Sequence, residues 1–484
     1  MAVVRSSTSG PTVPRMELMS SAHLALPSFN MISAADISRQ ADRIRTKAMP
    51  NTAEYSFKAR HPNVLNPMRE GNDLVWPEGR VVALESSVKF AALCGVAWVM
   101  VLGNSMLIPV LPQMGRAMQL SQLESGLIIT SFSVGAGLTI PVFGFWADHV
   151  GRKAIIVPSL VLFGLAGALA GLSGLLLSSP FVWILAARFV QGIGAGGTYQ
   201  LAMTLTGDIF QQGERTRALG YLESANGLGK VSAPLIGSAL GAILWLLPFM
   251  FYLVASLPVA LSVWWAISEP RGHLEQRPVG VYLGQVRRAV RRQEWALMGC
   301  FTLGLAALFL YFGMLSYLSD LLERRHGITG LYTGLVITVP VGAMAMSALL
   351  SSRYLSFLPR SRLRWGASGG LALAVVFLGL AGFLVDPILL VGAITCMSVG
   401  NGVALASLNS LVTGAVAKGT RGLVVSIYAT VRHVGAATGP PAFGLLAMSR
   451  EQTALLWFSL IGLALVVPAG LIIRGDILKP DSDS

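Results

Sequence analysis

Two sets of residues in this chain could do chemistry. The first is a compact knot, Gly144-x-x-x-Asp148-His149-x-Gly151-Arg152-Lys153, set between long apolar runs. No Asp, Glu, Lys or Arg occurs from Ser125 to Ala147, nor from Ala154 to Ala187. A carboxylate beside two cations can form ion pairs that hold a structure in one state and release in another. The second set lies inside the apolar runs: Arg188, Glu223, Asn226, Lys230, Arg432 and His433. A charge placed within hydrocarbon costs ~3 kcal/mol or more, so each of these needs a partner or a wet cavity. Glu223 and Lys230 are seven positions apart, about 10 Å along a helix and within ~20° of one face. That is too far for a direct bond. Either neighbouring helices satisfy the two, or they line water, where Glu223 could carry a proton. Cys94, Cys300 and Cys396 are scattered and match neither a disulfide framework nor a zinc-ligand spacing.

The elements that must position these residues are membrane helices. Of 484 residues 54% are hydrophobic and 12% charged, and the mean hydropathy is +0.65. Soluble domains carry roughly 25% charged residues. Splitting the apolar runs at Ser178-Ser179-Pro180, near Leu247-Pro248 and at similar punctuation predicts twelve spans of ~20 residues or more. They fall near 88–110, 123–147, 154–177, 181–206, 216–243, 248–267, 296–318, 330–351, 365–385, 388–412, 421–447 and 453–473. With the N-terminus inside, external loops hold only Arg116, Arg324, Arg325 and Arg450, while internal loops hold about eighteen Lys and Arg. Both termini are therefore expected in the cytoplasm. This topology accounts for the net charge of +13 and argues against nucleic-acid binding.

The expected organisation is a polar, disordered cytoplasmic tail (1–87), a six-helix bundle (88–267), a basic linker (268–295), a second six-helix bundle (296–474) and a short tail (475–484). The Arg- and Ser-rich start weakly suggests a transit peptide, or a start codon placed ahead of Met16, Met19, Met31, Met49 or Met68. The bundles are repeats. A shift of 206 residues lays Gly194-x-Gly196 on Gly400-x-Gly402 and Gly213-x-Arg215 on Gly419-x-Arg421. It also lays Gly229-x-x-x-Ala233-Pro234 on Gly435-x-x-x-Gly439-Pro440. Parallel halves related by an axis along the membrane normal are a transporter architecture, with substrate held between them.

The knot resembles the loop 2–3 signature of the major facilitator superfamily. Gly144 permits close helix approach, Gly151 a tight turn, and Asp208 is the expected partner of Arg152. A plain positive-inside turn is the simpler account of the same residues. "LAARFVQGIGAGG" (185–197) resembles the fourth-helix motif, with Arg188, Gln191, Gly192 and Gly194 in place. Gly192-x-Gly194-x-x-Gly197 also matches a dinucleotide fingerprint, but it sits inside a spanning run with no preceding strand. Gly220, Gly229, Ala233-Pro234 and Gly237-Ser238 resemble the fifth-helix antiporter motif, with Ala233 and Ser238 in place of two glycines. Small-residue helix packing alone would account for that stripe. The counterpart of the knot near Arg353 to Arg364 lacks the Gly and Asp pattern.

The resemblance covers about residues 88–474 and implies an all-α membrane protein of twelve helices in two parallel halves. It implies a monomeric, proton-driven antiporter of the cell membrane that exports small amphipathic or toxic compounds, as bacterial drug:proton antiporters do. Its partners would be a small-molecule substrate, protons and lipid, with no cofactor and no metal. The same fold would serve an importer. An intramembrane serine hydrolase is a third reading, from Ser173 in Gly-Leu-Ser-Gly and from Gly366-x-Ser368-x-Gly370. It needs a base with an orienting acid, and only His433 lies deep in a span.

Overall fold

The computed structural model describes residues 68–70, 73–75, 79–210, 212–269, 294–355, 360–415, 421–450 and 453–473. The expected linker and both expected tails lie almost wholly outside the described residues. The chain divides into two units, Met1–Gly79 and Arg80–Ser484. In the first, β1 (Met68–Glu70) and β2 (Asp73–Val75) pair antiparallel, with Arg69 opposite Leu74. No strand was expected in this polar segment, yet Gly71-Asn72 between the two has the residue types of a two-residue hairpin connection.

Everything after is helical. The order is α1 (Gly79–Ser105), a 3-10 turn (Ile108–Val110), α2 (Leu111–Met118), α3 (Gln122–Val150) and α4 (Arg152–Leu176). There follow α5 (Phe181–Gly196), α6 (Tyr199–Ile209), α7 (Gln212–Ile243) and α8 (Leu247–Ala266). The second series is α9 (Glu294–His326), α10 (Leu331–Leu355), α11 (Arg360–Ala381), α12 (Pro387–Ala415), α13 (Arg421–Arg450) and α14 (Ala454–Ile472).

Local sequence sets the boundaries. Ser121 and Glu124 form a reciprocal capping box that starts α3. Gly151 ends it at φ +98°, in the region that favours glycine, and α4 begins at the next residue. Among the described residues nine segments are long and apolar enough to cross a membrane. The expected fourth span is divided at Gly197-Thr198 into α5, of 16 residues, and α6, of 11. At 1.5 Å per residue α5 alone reaches only ~24 Å, against ~30 Å of hydrocarbon. The expected fifth and eleventh spans, α7 and α13, are long enough at 32 and 30 residues but are less apolar than the other long helices. That is why composition alone leaves them out.

The helices pack in two groups. In one, α3 lies against α5, and α4 against α5 and α8. In the other, α9 lies against α13 and α14, and α12 against α10 and α11. Two long seams join the groups, α3 on α13 and α7 on α10. Along the first, Thr130 Oγ1 donates to Ala437 O (2.5 Å) and Thr430 Oγ1 donates to Gly137 O (2.9 Å). A Cβ at Gly126 would lie 2.9 Å from the Pro440 carbonyl carbon. Along the second, a Cβ at Gly334 would lie 2.7 Å from Pro234 O. The 206-residue shift carries Pro234 onto Pro440, so the same proline-bent stretch of each repeat meets a glycine of the opposite group. The repeat visible in the sequence is thus also a repeat of packing.

Candidate functional site

The knot residues meet at one end of the bundle. Arg152 pairs with Asp208 at the end of α6, its expected partner, and reaches Asp148 Oδ1 at 3.3 Å. Among the described residues the Lys153 ammonium meets a carbonyl and no carboxylate: Nζ donates to Ile267 O (2.6 Å). The acid here that sequence reasoning missed is Glu269. Its carboxylate accepts the backbone N–H groups of Arg152 (2.6 Å) and Lys153 (3.0 Å). Those are orphan donors at the start of α4, where the helix dipole favours negative charge. The first acid after the sixth apolar run was the available signal. Gly144 turns toward the other group, where a Cβ would sit 3.4 Å from Ser426 Oγ.

Arg188 was expected to face either a partner or the central cavity, and it has partners. It is fully buried. Its guanidinium donates to Asn104 Oδ1 (2.8 Å), Gln191 Oε1 (2.6 Å) and Ile128 O (3.3 Å), and lies 4.4 Å from the Phe132 ring centroid. Asn104 in turn donates to Ser133 Oγ (2.9 Å). This network ties α1, α3 and α5 together inside the first group. Gly192 and Gly194 serve the same packing. Cβ atoms there would fall 2.9 Å from Ala136 N and 2.7 Å from Phe163 N, which leaves no room for a phosphate.

Helix α7 carries two stripes. Gly229, Ala233 and Gly237 face α1: a Cβ at Gly229 would meet Trp98 O at 3.1 Å, and one at Gly237 the Met106 carbonyl carbon at 2.8 Å. Asn226 is buried one turn earlier along this stripe. The other stripe, 223–227–230–234–238, faces the second group. On it a Cβ at Gly227 would meet Leu349 at 3.6 Å, and Ser238 packs on Gly334. The serine that stands where the motif has glycine is therefore matched by a glycine across the seam. Gly220 has nothing within 4 Å.

Glu223 and Lys230 lie on that second stripe. Glu223 is exposed and its Oε1 accepts the Tyr199 hydroxyl (2.6 Å) from the start of α6. Lys230 is partly buried. From the second group, Arg432 on α13 donates to Asn409 Oδ1 on α12 (3.1 Å) and stacks 5.1 Å from the Tyr428 ring centroid. Arg432 is within electrostatic reach of both Tyr199 and Lys230, and Glu223 of the same two. The four therefore form one cluster contributed by both groups. His433 is turned to α3, with Nδ1 on its own helix at Ala429 O (2.9 Å).

At the opposite end Arg116 of α2 pairs with Glu323 of α9, and Gln122 and Arg324 both engage Asp320. These residues border a cavity of about 260 Å³ between the groups, lined also by Pro440 and Phe443.

Comparison with known proteins decides the family. The family model described as Major Facilitator Superfamily matches residues 93–440. The chain belongs to this superfamily. It is 32% identical over 362 residues to the bacillibactin exporter of Bacillus subtilis (strain 168), covering 73% of this chain and 89% of that protein. It is 26% identical over 381 residues to the class D tetracycline resistance protein of Salmonella ordonez, covering 75% and 91%. A crystal structure of a D-xylose-proton symporter superposes with TM-score 0.64 over 82% of this chain and 99% of that one, at 13% identity, which is a likeness of fold. As a major facilitator protein the chain is a multi-pass membrane transporter whose relatives include bacterial exporters. Glu269 is the part of the knot that no sequence motif announced.

Proposed function

We propose that this transporter exports small amphipathic compounds from the cell by alternating access, driven by an inward proton gradient. In this reading the chain crosses the membrane twelve times as a monomer, with both termini and the Asp148 end in the cytoplasm. Residues 88–267 and 296–474 form the two moving halves. The α3–α13 and α7–α10 seams are the surfaces on which they rock. Glu223 is the proton carrier. The observation that carries the reading is its position: an exposed carboxylate on the face of α7 turned toward the second half, held by Tyr199 and within reach of Lys230 and Arg432. A proton bound there changes the charge between the halves, which gives the two states different stabilities. Likeness to the bacillibactin exporter and the tetracycline resistance protein supports outward transport.

The test is uptake into everted membrane vesicles, energised to acidify their lumen, with a panel of anionic, neutral and cationic dyes. Accumulation that a protonophore abolishes is the expected result. Facilitated equilibration with no response to the gradient would overturn proton coupling.

A further inference from the structure

Among the described residues, the cluster of Tyr199, Glu223, Lys230 and Arg432 carries unequal charge. Glu223 is the one carboxylate in the cluster, and it already accepts the Tyr199 hydroxyl. Facing it are two cations, Lys230 and Arg432, from opposite groups. Arg432 spends Nη1 on the neutral oxygen of Asn409, and its Nε is buried with no hydrogen-bond partner. The Lys230 ammonium makes no hydrogen bond and no close ion pair among the described residues, although it is only partly exposed. Donors in this condition are costly to keep unless something accepts from them.

Neither cation is a by-product of the duplication. The 206-residue shift lays Glu223 on Ala429, Lys230 on Ala436 and Asn226 on Arg432. The symmetry that governs the seams is broken at the charged positions, and it is broken toward positive charge.

We propose that this site takes an organic anion: a small molecule with a carboxylate, phenolate or sulfonate, bridged between Lys230 of one group and Arg432 of the other. The inference rests on the transport reading above and narrows its cargo to acidic molecules. Arg432 offers a planar fork and Lys230 a point charge, a pair that suits an acidic group held from two sides. Because the two cations come from different groups, a bridging anion would also couple cargo binding to the relative position of the groups.

The test uses the purified full chain in detergent, with carboxyfluorescein as the anionic probe and ethidium as a cationic probe of similar aromatic character. Fluorescence polarisation reads binding, independently of transport. Carboxyfluorescein is expected to bind saturably, and ethidium at least about tenfold more weakly. Lys230→Gln and Arg432→Gln should each weaken the anion by about tenfold, as expected for loss of one charge-assisted contact. Arg432→Lys, which keeps the charge, should retain part of the binding. Glu223→Gln, which removes the opposing charge, should leave carboxyfluorescein binding equal or tighter. That opposite sign separates an electrostatic effect from a misfolded variant. No saturable carboxyfluorescein binding, ethidium binding as tight or tighter, or unchanged affinity in both cation variants overturns the inference. Anion binding without vesicle accumulation would sink the export reading alone. Ethidium export without anion binding would sink this inference alone.

Discussion

Tyr199 and Glu223 are joined by a hydrogen bond of 2.6 Å across the gap between α6 and α7, with the hydroxyl as donor and the carboxylate as acceptor. The bond forms where the fourth crossing is interrupted at Gly197-Thr198. The break turns a tyrosine at the start of α6 toward α7, and so holds the carboxylate without neutralising it. If Glu223 carries the proton, Glu223→Gln should lose gradient-driven accumulation in everted vesicles while probe binding and passive exchange persist. Tyr199→Phe should keep coupling and lower the rate at least severalfold, since it removes one charge-assisted hydrogen bond worth ~1.5–3 kcal/mol. Uphill transport with unchanged pH dependence in Glu223→Gln would move the proton site elsewhere.

The knot around Arg152 makes a second expectation. Arg152 is held by Asp208 and Asp148 while Glu269 caps the helix it starts. Asp148→Asn should nearly abolish transport with expression and probe binding intact. Glu269→Ala should instead act first on stability, by about 1 kcal/mol for a lost N-terminal cap. Thermal unfolding in detergent beside vesicle transport separates the two. Wild-type transport in Asp148→Asn would refute the latch.

Small-residue contacts on α7 predict a graded series. Gly229 lies against the backbone of α1, Gly237 against the backbone of Met106 just beyond its end, and Gly220 has open space. Leucine at 237 should be the most damaging to folded yield, leucine at 229 should block transport in protein that still reaches the membrane, and alanine at 220 should be tolerated. Equal effects at the three positions would mean that the stripe does not set the packing of α7 on α1.

Arg188 belongs to folding more than to transport chemistry. Its removal leaves Asn104 and Gln191 buried without their donor. Arg188→Leu should cost about 2–4 kcal/mol, the range for breaking a buried polar network. Arg188→Lys should recover little of it, because an ammonium cannot span three acceptors in a plane. A stable Arg188→Leu protein that binds probe but fails to couple would place the residue back in the proton path.

Much of this was legible in the chain itself, because membrane helices announce their length and the two repeats announce their punctuation. The knot, the Arg152–Asp208 pair and the α7 stripe follow from residue type and spacing. Three things did not. Glu269 acts on α4 from 117 positions away, and no local spacing encodes that contact. The break at Gly197-Thr198 hides in a run that remains apolar on both sides, so composition reads it as one helix. Arg188 and Arg432 look alike in sequence, each a lone arginine within an apolar run. Only packing shows that one is sealed by Asn104 and Gln191 while the other keeps a buried Nε with no hydrogen-bond partner among the described residues.

The most direct test of proton-driven export is paired measurement of probe accumulation and lumenal pH in everted vesicles made with and without this protein. The account predicts that protein-dependent dye accumulation appears on energisation, collapses with a protonophore, and is accompanied by proton release from the lumen when dye is added. Dye accumulation that survives the protonophore, or none above the control vesicles with any dye of the panel, would contradict it.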